Sequence, residues 1–164
     1  MRRGLFITLE GSEGCGKSTQ LERLARRIRS LSRPLSVARD PGTSAIGEEV
    51  RRLLKHPPGT APMAPECELF LFGAGRAQLV REILLPALAR GDWVLCDRYL
   101  DSTTVYQGVA RGLDPDLVAT VNRAAVAGRL PDLTLLLDLD PAEGMRRTRT
   151  RTGAGPGPDR FEEE

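Results

Sequence analysis

Residues Gly11-Ser-Glu-Gly-Cys-Gly-Lys-Ser18 fit the pattern G-x-x-x-x-G-K-[ST], and Thr19 follows directly. An apolar run, Leu5–Leu9, precedes this stretch and an amphipathic one begins at Ser18. A strand–loop–helix context aims successive backbone N–H groups and a helix N-terminus at a single anion. Glycines at 11, 14 and 16 let the backbone bend tightly and approach phosphate oxygens. Gly11, Ser12, Glu13, Gly14, Cys15, Gly16, Lys17, Ser18 and Thr19 are therefore expected to wrap nucleotide phosphates. Lys17 would reach the β- and γ-phosphates, and Ser18 would face Mg²⁺. Only Lys17 and Lys55 among the 24 basic residues are lysines, so scattered lysines do not generate the match. The bland alternative is a glycine turn with a surface lysine.

Other candidates sit where strands end, because open parallel sheets deliver functional groups at their carboxyl ends. The first strand ends at Glu10, the second at Arg39-Asp40-Pro41-Gly42 and the third at Asp97-Arg98-Tyr99. Arg146, Arg147, Arg149, Arg151 and Arg160 surround a glycine-proline segment. One phosphate loop with several arginines suits phosphoryl transfer between two phosphorylated substrates, where catalysis is mostly positioning and charge neutralisation. A flap over about 146–160 would exclude competing water. Arg146 and Arg147 also read as a solvated helix face, and Phe72 taken alone as a core aromatic.

The elements that must position these groups alternate along the chain. Strand-like runs occur at Leu5–Leu9, Leu35–Ala38, Trp93–Cys96 and Leu133–Leu139. Helical patterns occur near Ser18–Leu31, Ile46–Leu54, Glu66–Leu88, Asp116–Ala127 and Ala142–Thr150. This alternation predicts an α/β fold with a parallel sheet covered on both faces. Leu21, Leu24, Ala25 and Ile28 recur at helical spacing and should face the sheet. Pro86 is expected to kink or end the third helix. Residues 56–65 form a proline-rich connection, and residues 1–164 are read as a single domain.

Composition bounds the class. The 164 residues suit one domain, and 40% hydrophobic with 28% charged residues is ordinary for a globular chain. A net charge of +2 gives no argument for nucleic-acid or membrane partners. No apolar stretch is long enough to span a bilayer, and the N-terminus lacks a signal-peptide core. Cys15, Cys67 and Cys96 are odd in number and lack metal-ligand spacing, which fits reduced thiols in the cytoplasm. Cys15 reads as a small residue fitted to its loop.

Four segments together resemble bacterial thymidylate kinases: Glu10–Gln20, the Arg39-Asp-Pro-Gly turn, Leu69-Phe-Leu-Phe-Gly-Ala-Gly-Arg76, and Asp97-Arg-Tyr-Leu-Asp-Ser-Thr-Thr-Val-Tyr-Gln-Gly108. Leu136-Leu-Asp-Leu-Asp-Pro141 and Asp159-Arg-Phe-Glu162 extend the resemblance along essentially the whole chain. It implies a P-loop NTPase-type three-layer α/β/α fold of the nucleoside monophosphate kinase kind, and a homodimer. It also implies transfer of the ATP γ-phosphate to dTMP, with Mg²⁺. By this resemblance Phe72 stacks on thymine, Arg76 bonds the base edge and Thr103 contacts thymine. Arg98 holds the dTMP phosphate with Arg39 close by, and Asp97 serves the metal and its water network. Tyr106 and Gln107 lie beside deoxyribose and base, and Glu13 faces the 3′-hydroxyl. The phosphate loop contains no arginine, so the resemblance assigns transition-state charge to Arg151 or Arg149 in the flap.

The chain departs from the family pattern in three places. Thr43 stands where a second glycine usually follows Gly42, which leaves the aim of Arg39 open. Gly73 and Gly75 interrupt the helix bearing Phe72 and Arg76, at up to about 1 kcal/mol each. The sequence stops after the flap, where the family continues with a further strand, helices and an adenine-bordering loop. A C-terminally shortened form, with an exposed sheet edge, is the expectation. A kinase for another nucleoside or nucleoside monophosphate such as dUMP, and a nucleotide-binding domain with little or no catalysis, stay open as alternatives.

Overall fold

The computed structural model describes residues 3–151, with only the backbone given at Arg151. The flap beyond that point, including Arg160 and the Asp159–Glu162 segment, lies outside the described residues. The strands are β1 (Phe6–Glu10), β2 (Leu35–Arg39), β3 (Trp93–Asp97) and β4 (Leu133–Leu136). All pair in parallel, in the order β2-β3-β1-β4. The helices are α1 (Lys17–Ser30), α2 (Ala45–Lys55), α3 (Pro65–Leu79), α4 (Leu85–Ala89), α5 (Leu100–Thr103), α6 (Pro115–Val126) and α7 (Pro141–Arg151).

Side-chain alternation along β1 and β3 builds two cores. Phe6, Val94 and Cys96 point to one face and pack with Leu79, Leu84, Tyr99 and Val126. Ile7 and Leu95 point to the other and pack with Ala25 and Ile28 of α1. Both faces of the central strands are therefore covered by helices, as their near-continuous apolar sequences require. β4 is different: Leu133 is 50% and Leu136 72% exposed, so the helical cover is incomplete along this strand.

Two helical segments differ from the sequence expectation. Pro86 does not end the helical run, which continues beyond α3 into α4 and reaches Ala89. A π-helical turn at Val80–Leu84 lies immediately upstream and absorbs the residue that lacks an N–H donor. A second π-helical segment, Thr104–Ala110, follows α5 and presents Tyr106 and Gln107. Nothing in the local sequence periodicity announces it. The glycines of α3 have packing reasons: a Cβ on Gly73 would lie 2.6 Å from Val121 of α6, and one on Gly75 3.3 Å from Val50 of α2.

Candidate functional site

The phosphate loop joins β1 to α1. Gly16 caps α1 in the left-handed conformation (φ 94°), and no side chain accepts from the first helical N–H groups. Those groups are left for an anion, to which the helix dipole adds attraction. Lys17 is buried, and its ammonium curls over the loop to donate to Gly11 O at 3.0 Å and Ser12 O at 2.7 Å. The loop also packs on α7. A Cβ on Gly14 would lie 2.2 Å from Gly144 O, so the contact requires glycine.

A cavity of about 540 Å³ opens from this loop, and most of the sequence candidates line it. They are Glu13, Lys17, Ser18, Arg39, Phe72, Arg76, Asp97, Arg98, Thr103, Tyr106 and Gln107. Gly11, Ser12, Gly14, Cys15 and Gly16 belong to the loop beside it, and Thr19 to the first turn of α1. Arg98 is the hinge of the site. It takes a left-handed conformation (φ 66°) at the end of β3, which turns the chain out of the sheet. A residue with a Cβ pays roughly 1–2 kcal/mol for that conformation, and such strain clusters at functional positions.

The surroundings hold this turn. Arg98 N donates to Leu9 O at 3.0 Å, and Tyr99 N donates to Glu10 Oε1 at 2.8 Å. The Arg98 guanidinium donates to Ser102 Oγ at 3.0 Å, pairs with Glu13 and stands 5.2 Å over the Tyr106 ring. Ser102 in turn donates to Glu10 Oε2 at 2.6 Å. Burial raises the Glu10 carboxyl above its ordinary value, with the Ser102 and Tyr99 hydrogen bonds opposing it.

Arg76 sits deeper than its expected role at the base edge suggested, only 1% exposed. Its Nε donates to Asp40 at 2.5 Å, and its terminal nitrogens donate to Asn122 Oδ1 and Thr103 Oγ1, each at 2.7 Å, and to Tyr99 O at 3.3 Å. Asp40 lines the floor of the cavity, with Oδ2 committed to Arg76 and Oδ1 buried without a hydrogen-bond partner among the described residues. Burial raises its carboxyl above the ordinary range despite the charge of Arg76. Phe72 is half-buried on the cavity wall, so it is not a core aromatic.

Arg39, Arg146, Arg147 and Arg149 differ in their surroundings. Arg39 turns its guanidinium to Glu48, at 2.7 Å, because the left-handed Thr43 brings Glu48 onto the turn. Arg146 and Arg147 both pair with Glu143 on exposed α7, which is the solvated-face reading. Arg149 is also exposed on α7 and does not line the cavity, and the Arg151 side chain lies outside the described residues.

Sequence reasoning missed Arg51, Glu68, Ser102, Arg111 and Asn122. Glu68 was recoverable: it precedes Phe72 by one helical turn, as Phe72 precedes Arg76, so all three share one face of α3. For a divalent cation the fit is sound. Ser18 and Asp97 line the same cavity with hard oxygen donors, and Asp97 Oδ1 is buried without a hydrogen-bond partner among the described residues.

Comparison with known proteins agrees with this geometry. Residues 9–164 match the thymidylate kinase family model. A thymidylate kinase of Desulfosudis oleivorans is 52% identical over 143 residues, covering 87% of this chain and 66% of the relative. One from Deinococcus radiodurans is 50% identical over 147 residues, covering 90% and 70%. The chain thus spans about two thirds of the length of these relatives. The crystal structure of thymidylate kinase from Ehrlichia chaffeensis superposes with a TM-score of 0.77 at 33% identity, covering 90% of this chain and 83% of that one. The fold is that of the P-loop nucleoside monophosphate kinases. With a family match over nearly its whole length and a phosphate loop opening onto an arginine-lined cavity, the chain belongs to the thymidylate kinase family.

Proposed function

We propose that this chain transfers the γ-phosphoryl group of ATP to dTMP, giving dTDP and ADP. The observation that carries the reading is that one cavity is lined by Lys17 and Ser18 together with Phe72, Thr103, Gln107, Asp97 and Arg98. It offers a phosphate-binding loop, an arginine for a second phosphate and an aromatic wall for a base on one surface. The loop N–H groups and Lys17 bind the ATP phosphates, with Lys17 exchanging its loop carbonyls for phosphate oxygens.

Arg98 holds the acceptor phosphate, which displaces Glu13 from the guanidinium and leaves Glu13 to accept from the sugar 3′-hydroxyl. Phe72 stacks on the base, and Tyr106 stands beside the sugar while it keeps Arg98 aimed. Ser18 Oγ and Asp97 Oδ1 would hold Mg²⁺, which when bound neutralises phosphate charge. Arg149 and Arg151 are proposed to bring further positive charge from the flap. A cytoplasmic homodimer is the proposed state, checked by sedimentation. No helix among the described residues is long and apolar enough to cross a membrane.

The test is coupled ADP release with ATP, Mg²⁺ and dTMP, beside Lys17→Ala. Release that requires dTMP and is lost in the variant supports the proposal. Nucleotide binding without dTMP-dependent release overturns it.

A further inference from the structure

Gln107 is almost fully buried in the π-helical segment, and its Nε2 donates to Glu68 Oε1 at 2.7 Å. Glu68 comes from α3 and is 1% exposed. Arg111 donates to both of its carboxylate oxygens at 3.3 Å, so each of them already serves as an acceptor. An ionised carboxylate accepts hydrogen bonds and donates none, whereas a side-chain amide has a donating end and an accepting end of nearly equal size. Turning the Gln107 amide over would set its oxygen against the Glu68 oxygen, two acceptors with no proton between them. Glu68 therefore fixes which end of the amide faces away from it: the acceptor, Oε1. Among the described residues nothing donates to that oxygen, and Gln107 lines the cavity beside Phe72.

A second bond wires the same wall. Thr103 Oγ1 accepts from Arg76, so the threonine hydroxyl keeps its own hydrogen to donate. The wall then offers an acceptor at Gln107 and a donor at Thr103. Thymine and uracil present an N3–H donor between two carbonyl acceptors, which complements this pattern. Cytosine presents a lone pair at N3, which would meet Gln107 Oε1 as a second acceptor.

We propose that Glu68 is a positioning residue for base selection, holding the Gln107 amide with its oxygen toward the base so that a pyrimidine bearing N3–H is accepted and one with an unprotonated N3 is refused. The inference rests on the reading that a pyrimidine nucleoside monophosphate stacks on Phe72. Glu68 acts through Gln107 and touches no reacting atom. An amide at position 68 could donate or accept and would release the constraint.

The experiment is titration calorimetry of dTMP and dCMP with the full chain, Glu68→Gln, Gln107→Met and the double variant. Binding needs no phosphoryl transfer, so a wild-type chain that prefers dTMP but releases no ADP overturns the kinase reading while this test still runs. E68Q is expected to lower the dTMP-to-dCMP affinity ratio about tenfold, the scale of one hydrogen bond exchanged for an unpaired acceptor. In the Gln107→Met background the same substitution should change the ratio by less than about twofold, since the group it acts through is gone.

An unchanged ratio in E68Q overturns the proposal, as does an equal fall in both backgrounds. Equal affinity of the wild type for the two nucleotides overturns it too, and binding of neither overturns it together with the kinase reading. Should circular dichroism show E68Q unfolded, Gln107→Met alone decides: a tenfold loss of preference supports the proposal and an undiminished preference refutes it.

Discussion

Asn122 gives the sharpest test of how the floor of the site is built. It lies on α6, 6% exposed, and its Oδ1 receives one of the guanidinium hydrogens of Arg76 at 2.7 Å. Its Nδ2 reaches Thr104 Oγ1 at 3.3 Å and Leu100 O at 3.5 Å, both long. Asn122→Leu keeps the volume nearly constant, so the cavity contribution is small. It leaves a buried cationic N–H without its acceptor, which costs about 1.5–3 kcal/mol for a bond to a charged group. The two weaker bonds add less. At about 2–4 °C per kcal/mol for a chain of this length, the melting temperature should fall by about 3–12 °C. Arg76 would also lose part of its alignment with Thr103, so the KM for dTMP should rise more than kcat falls. Differential scanning calorimetry and steady-state kinetics read the two effects. A melting shift below about 1 °C with unchanged KM would show that Arg76 settles onto its other partners without loss, and the reasoning would fail.

Ser102→Ala removes the link between Glu10 and Arg98, and turnover with dTMP should fall about tenfold while circular dichroism stays native; full activity would mean that Glu13 and Tyr106 suffice to aim Arg98. Glu10 has its carboxyl raised by burial, so its contribution to stability is complete below its ordinary value near 4.5 and is lost as pH rises through the raised value. Urea midpoints measured from pH 4 to 7 should accordingly vary less in Glu10→Gln than in the wild type, and parallel curves would contradict the assignment. Gly73→Ala should destabilise, because a methyl 2.6 Å from Val121 costs about 1–3 kcal/mol of overpacking against at most about 1 kcal/mol of helix propensity gained. Gly75→Ala, with its nearest contact at 3.3 Å, should be close to neutral in the same denaturation assay.

How much of this was legible in the sequence follows the range of the interactions involved. The phosphate loop is a local feature, and its strand–loop–helix setting needed only the apolar run before it and the periodicity after it. Arg146 and Arg147 likewise meet Glu143 at i+3 and i+4, within reach of a helical reading. The partners of Arg76 were not legible. Asp40 and Asn122 come from 36 and 46 residues away, and no local pattern encodes which strand end and which helix converge. The π-helical segment at Thr104–Ala110 was invisible for a related reason. Its hydrogen bonding is poor in isolation, and it persists where tertiary contacts such as Gln107 to Glu68 hold it. The aim of Arg39 turned on one residue, Thr43, whose left-handed backbone is unusual outside glycine and asparagine.

The depth of Arg76 bears on what a base would meet. A guanidinium with its Nε on Asp40 and its terminal nitrogens on Asn122, Thr103 and Tyr99 O cannot swing toward a ligand without breaking several bonds at once. Its contribution to recognition is therefore fixed before a ligand arrives, which lowers the ordering cost of binding. The same holds for Gln107, whose amide is committed by Glu68. Arg98 and Lys17 are the opposite case. Arg98 pairs with a half-exposed Glu13, and Lys17 with carbonyls of its own loop, partners that phosphate oxygens can replace. On the proposed function the site thus divides into a rigid half for the base and an exchangeable half for phosphate. That division suits a phosphoryl-transfer enzyme, because base identity is invariant through the reaction whereas the charge on the phosphates is redistributed.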